Sequence, residues 1–175
     1  MTKIVFFDTD CISSFLWTQT QHLLIHCFGN DMIIPRQVYN EISRVPHLRQ
    51  RIDVMVNDGN LAIEDIQVNT DENNLYLDLT DHTRASSLPL IGRGEAAAIV
   101  LTKKNNGILA SNNFRDVSHY VNLYGLNHIS TPDIIHRVVN ESVLTIAQAD
   151  VIWTQMIAKR RKLPFSTYSD YLNSL

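Results

Sequence analysis

The chain has 175 residues, 45% of them hydrophobic, and a formal net charge of −3. That length and apolar content suit one globular domain with a proper core, and no apolar run approaches the length of a membrane span. The acidic balance excludes a surface that attracts nucleic acid by bulk charge, so any chemistry on nucleic acid needs local basic patches or a bound cation.

Met1-Thr2-Lys3 runs directly into a strand, with no secretory apolar region or cleavage site. Two cysteines, Cys11 and Cys27, lie outside any CxxC pair and cannot build a disulfide framework. A cytoplasmic location, in a reducing compartment and without membrane association, is the expectation. Ile4 to Phe7 reads as a short strand, apolar throughout, of the kind buried on both faces of a parallel sheet. It ends on Asp8-Thr9-Asp10. Either Asp8 or Thr9 caps the following helix, or the carboxylates line the crevice at the carboxyl ends of the strands, where open α/β sheets place ligands.

A helical stretch from about Cys11 to Phe28 stops at Gly29-Asn30. Met32 to Ile34 is the next strand, and Pro35 suits the first turn of a helix over Arg36 to Val45. Within it, Val38, Ile42 and Val45 supply the inward stripe, while Glu41 reads as a solvated helix residue when taken alone. His47 to Asn57 predicts another helix, Leu61 to Ile63 a strand, Asp71 to Ala85 a mixed helical stretch, and Ser86 to Gly92 a loop. Gly94 opens an alanine-rich helix with Glu95 in its first turn, where the helix dipole stabilises a negative charge. Gly92 and Gly94 on either side of this region predict unusual backbone freedom before the turn.

Ile108 to Ala110 is a strand, followed by Ser111-Asn112-Asn113 and a helix through Val121 that sets Asn113 and Asp116 on one face. A strand near His128 leads to Thr131-Pro132-Asp133, a capped helix start. Helices over Thr145 to Arg161 and Ser166 to Leu172 complete the chain. Val151, Ile152, Trp153, Met156 and Ile157 give the first of these an apolar side, which either packs back on the sheet or meets a partner. Lys159, Arg160, Arg161 and Lys162 close it, either as cations complementing the helix dipole or as a patch for RNA phosphates. His22 and His26 have the spacing of zinc ligands, but no third ligand follows at a recognisable distance. Short strands alternating with helices predict an α/β three-layer sandwich around a central, mainly parallel sheet. No repeat or linker divides the chain, so one domain is expected over 1–175, with a core of about 3–130 and a helical extension of about 131–175.

The order of the acidic pieces is more informative than any one of them. Phe7-Asp8-Thr9-Asp10 with Ile12-Ser13, Val38 to Ile42, Gly94 to Ile99, and Leu109 to Val117 together resemble the PIN-domain family, in particular its VapC-type toxin ribonucleases. The resemblance covers residues 3 to about 130. It implies an acidic pocket that holds Mg²⁺ or Mn²⁺ and cleaves RNA, with a protein antitoxin and a second copy of the chain as partners. Asp8, Glu41, Glu95 and Asp116 match the family's acidic ligands and catalytic residues. Asn113 falls where many members have aspartate, and Asp10 where asparagine or serine is common, so Asp10 either supports a ligand or caps the helix. Ser111 either donates a hydrogen bond into the pocket or is a turn residue. Mg²⁺ prefers hard oxygen ligands, and a cluster of carboxylates is costly unless a cation neutralises it. Two alternatives stand beside this reading. FFDTD also resembles the HAD-like phosphatases, which would make Asp8 a nucleophile, and some relatives of such nucleases only bind RNA.

Overall fold

The computed structural model describes residues 3–175, so the start of the amino terminus at Met1 and Thr2 lies outside the described residues. Five strands form one sheet in the order β3-β2-β1-β4-β5, every neighbouring pair parallel. The strands are β1 (Val5–Phe7), β2 (Met32–Pro35), β3 (Ala62–Glu64), β4 (Ile108–Ala110) and β5 (Asn127–Ile129). Each is joined to the next through helix, as parallel pairing requires.

The order reverses at β1. From there the chain builds outward through β2 and β3, then returns to lay β4 and β5 on the other side. The crevice where the two halves part, between the carboxyl ends of β1 and β4, is where a doubly wound sheet leaves room for a ligand. Asp8 follows β1 and Ser111 follows β4, so both stand at this switch point. The Asp8 amide still donates to the Ala110 carbonyl at 2.9 Å, which extends the pairing right up to the crevice.

Ten helices lie against the sheet among the described residues. The expected Cys11–Phe28 helix is two helices, α1 (Thr9–Trp17) and α2 (Gln21–Phe28). They part at Gln19, whose φ of 59° a continuing helix does not allow. With α3 (Arg36–Ile42) and α4 (Pro46–Asn57) they cover one face of the sheet, where Phe7, Phe15, Leu16, Ile34 and Ile52 are buried in one cluster. The other face carries α5 (Asp71–Thr80), α6 (Arg93–Asn105) and α7 (Phe114–Tyr124), packed through Leu79, Ile99, Leu109 and Val117. α6 is buried along most of its length because Ala96, Ala97 and Ala98 let it lie close to the strands.

The last three helices, α8 (Thr131–Asn140), α9 (Ile146–Ala158) and α10 (Tyr168–Leu172), belong to the first face. Trp153 and Met156 are fully buried in the main core, and the Trp153 indole donates to the Phe165 carbonyl at 2.8 Å. The apolar side of α9 is therefore split: Trp153 packs inward, while Val151 and Ile157 stay exposed. No helix among the described residues is long and apolar enough to cross a membrane.

Candidate active site

Asp8 is completely buried. It caps α1, with Oδ1 accepting the Cys11 amide at 2.8 Å, so the capping role is real. Its other oxygen, Oδ2, has no hydrogen-bond partner among the described residues. Burial pushes the carboxyl up to about 7. The Ser111 hydroxyl and the Cys11 amide pull against that rise, while Asp10 and Glu95 add to it. A cap alone needs neither the second oxygen nor the burial.

Glu41 reaches this region from α3, across the sequence, and is not a solvated helix residue. Its carboxylate accepts a hydrogen bond from the Thr9 hydroxyl and a 3.1 Å bond from the Gly94 amide. A Cβ on Gly94 would stand 2.7 Å from Thr9 Oγ1 and 2.8 Å from Glu41 Oε2. A side chain at Gly94 would therefore force the Thr9 hydroxyl and the Glu41 carboxylate to shift, and the expected backbone freedom is not what the glycine supplies. Gly92 likewise has an ordinary φ of −62°. It donates its amide to Glu95 Oε2 at 3.1 Å, so Glu95 folds back on its own helix start.

The other Glu95 oxygen faces Asn113, whose side-chain nitrogen donates to Glu95 Oε1 at 2.6 Å and to Asp116 Oδ2 at 2.7 Å. The Asn113 amide nitrogen, rather than its oxygen, is turned to the carboxylates, because an oxygen there would face two negative groups. Ser111 is fully buried beside Asp8 and accepts the Asn113 backbone amide at 3.2 Å. Asp10 is more than half exposed and makes a loose 3.6 Å pair with Arg161.

Arg161 comes from beyond α9. Its guanidinium donates to Ser13 Oγ at 3.0 Å, folding the basic turn back on α1. Arg160, Arg161 and Lys162 then line one cavity with Asp10, Asn112 and Asn113, whereas Lys159 is held over the Trp17 ring, 5.8 Å from its centre. His26 pairs with Glu141 at 2.9 Å. Thr9, Asn112 and the spacing role of Gly94 are not legible as site features in the sequence. Thr9 reads there only as a cap, and Asn112 gains its place by accepting the Thr131 amide at 2.8 Å.

A family model described as DUF3368, PIN domain, matches residues 4–175. The chain belongs to the PIN-domain family. The match runs through the carboxyl-terminal helices as well as the first 130 residues. No curated protein and no solved structure gives a significant match. PIN domains are generally nucleases, hydrolases acting on nucleic acids, and usually use divalent metal ions. Membership sets aside the phosphatase alternative, and a fully buried Asp8 tied to the Cys11 amide is poorly placed to attack a substrate.

The residues present suit a hard divalent cation in their chemistry: carboxylate oxygens on three elements, and one buried oxygen left without a partner. Among the described residues no three of them converge as a ready ligand group. Glu41, Glu95 and Asp116 are instead satisfied by the donors of Thr9, Gly94, Gly92 and Asn113, which take the place of positive charge.

Proposed function

We propose that the chain is an endoribonuclease that depends on Mg²⁺ or Mn²⁺ and hydrolyses RNA phosphodiester bonds. The observation that carries this is the buried, unpartnered Asp8 Oδ2 at the switch point of the sheet, with Glu95 close enough to raise its proton affinity. Leaving a polar atom so is costly unless something outside the chain completes it. Asp8, Glu41, Glu95 and Asp116 would hold the ion, with Asn113 beside them. When bound, the ion supplies the Lewis acidity and charge neutralisation that phosphodiester hydrolysis needs.

The chain's own residues do the rest. In the metal-free chain burial holds the Asp8 carboxyl at about 7, so binding the ion would draw off its proton and leave the carboxylate as a ligand. Glu41 is fixed by Thr9 and by the Gly94 amide, so its position costs little reorganisation. The Ser111 hydroxyl lies near the Asp8 carboxyl and favours its ionised form, the form that holds a cation. The cations of the basic turn offset the repulsion between an acidic pocket and an acidic substrate.

The finer form of this reading is a cytoplasmic toxin, restrained by a protein antitoxin and acting as a homodimer. Its support is the pattern of short motifs shared with the VapC-type toxins. A catalytically silent RNA-binding protein is the second reading, favoured by the Asn113 bridge that keeps Glu95 and Asp116 satisfied without a cation. One assay separates them. Purified chain is incubated with a labelled single-stranded RNA in Mg²⁺, in Mn²⁺ and in EDTA, beside Asp8→Asn. Cleavage that needs the ion and is lost in the variant supports the nuclease. Binding without cleavage in either ion supports the silent reading. Growth arrest on expression, relieved by Asp8→Asn, tests the toxin.

A further inference from the structure

Three cavities follow one another along the carboxyl edge of the sheet. The first, between Thr9, Glu41, Gly94 and Glu95, is the acidic pocket, and Asp10 also lines it. Asp10 is shared with the second, a cavity of about 110 Å³ lined also by Arg160, Arg161 and Lys162. Asn112 and Lys162 are shared with the third, whose walls include Phe114, Pro132, Leu163 and Pro164. One groove thus passes from acidic to basic to apolar lining.

The basic section is built rather than accidental. Arg161 is mostly covered and anchored to Ser13, with Asp10 nearby. Arg160 takes a left-handed φ of 59°, unfavourable for a side-chain-bearing residue, at the turn that brings the three cations to the groove. Lys159, one residue earlier, is directed away to Trp17. The apolar section has its own signature: Phe114 is 56% exposed at the start of α7, with its ring 5.4 Å from that of His128. A large aromatic left open beside a row of cations offers a face for a flat, apolar group carried on a charged chain.

We propose that this groove is the path of the substrate strand. Arg160, Arg161 and Lys162 hold the phosphate next to the scissile one, and Phe114 stacks the unpaired base beyond it. The tail of the chain is then a binding element for single-stranded polynucleotide. Only the identity of the scissile phosphate rests on the nuclease reading above. A paired base cannot lay its face on Phe114, so the groove selects unpaired segments over duplex.

The test is binding without cleavage. A fluorescently labelled single-stranded oligoribonucleotide and a blunt-ended duplex of the same length are titrated with the intact protein in EDTA, over a salt series, by anisotropy. Phe114→Ala should weaken single-strand binding roughly 5- to 150-fold, the weight of one stacked base, and leave duplex binding unchanged. Phe114→Trp should restore it. Arg160→Ala combined with Lys162→Ala should lower the slope of log affinity against log salt by roughly 1.4, for two contacts at about 0.7 each. Arg161 is left intact because it anchors the turn. Unchanged single-strand binding in either Phe114→Ala or the double variant overturns the proposal. Mg²⁺ and Mn²⁺ are then added. Binding that behaves as expected with no cleavage keeps the groove and removes the nuclease reading. Cleavage with indifferent binding does the reverse.

Discussion

The Gly94 amide donates to Glu41 Oε1 at 3.1 Å, and no side chain fits on Gly94 without displacing that carboxylate. The two residues are far apart in sequence, and their meeting joins α3 to the first turn of α6. Because Gly94 has no left-handed φ, Ala would ordinarily favour the helix here by about 1 kcal/mol. Gly94→Ala should instead push Glu41 and Thr9 apart and reduce the cleavage rate roughly 10- to 100-fold, as small misplacements in a site do. Cleavage kinetics beside a melting curve check this. A variant that melts higher and cleaves normally would show that the space is not needed.

Asp8→Asn should abolish metal-dependent cleavage and also change the pH dependence of stability in EDTA. The folded Asp8 carboxyl lies at about 7, above its ordinary value of 3.8, so between those pH values the folded state holds the extra proton. The group's stabilising contribution is fully present below about 3.8 and is lost as pH rises through 7. The loss is at most about 4 kcal/mol. Urea titrations at pH 5 and pH 8 should therefore show a smaller fall for Asp8→Asn than for the parent. Equal falls would mean that Asp8 is ionised in the fold throughout.

Asn113→Asp removes the donor that bridges Glu95 and Asp116 and leaves three carboxylates together. In EDTA the variant should melt lower than the parent, by several degrees for a loss of about 1–3 kcal/mol. Added Mg²⁺ should restore it, and half-maximal cleavage should need less metal. Turnover at saturating metal should change little, since tighter ground-state binding alone does not raise it. Superimposable melting and metal curves would show that the bridge carries no weight.

Trp153 is buried against Tyr168 and Tyr171, with ring centres 5.9 and 5.5 Å away. Trp153→Ala should cost about 3–5 kcal/mol, measured by urea denaturation. Truncation before Thr145 should yield insoluble protein, because Ala149, Trp153 and Met156 all cover the main core. A soluble truncated chain with an unchanged denaturation midpoint would contradict this packing.

The elements were legible in the sequence because their signals are local. Apolar triplets such as Val5-Phe6-Phe7 and Ile108-Leu109-Ala110 mark central strands, and Gly29, Asn106 and Gly125 mark helix ends by adopting left-handed or otherwise positive φ. The α1–α2 break was not legible, since Thr18-Gln19-Thr20 carries neither glycine nor proline. Asp8, at the end of β1, could be placed from sequence because the strand end itself decides it. What Glu41 touches could not, because its partners Thr9 and Gly94 come from other elements, and only the packing of α6 against α3 brings them within bonding distance. The same holds for the basic tail. Its charge is local, but whether Arg161 meets solvent or Ser13 depends on Trp153 burying α9 against the core, a contact between residues that no short window contains.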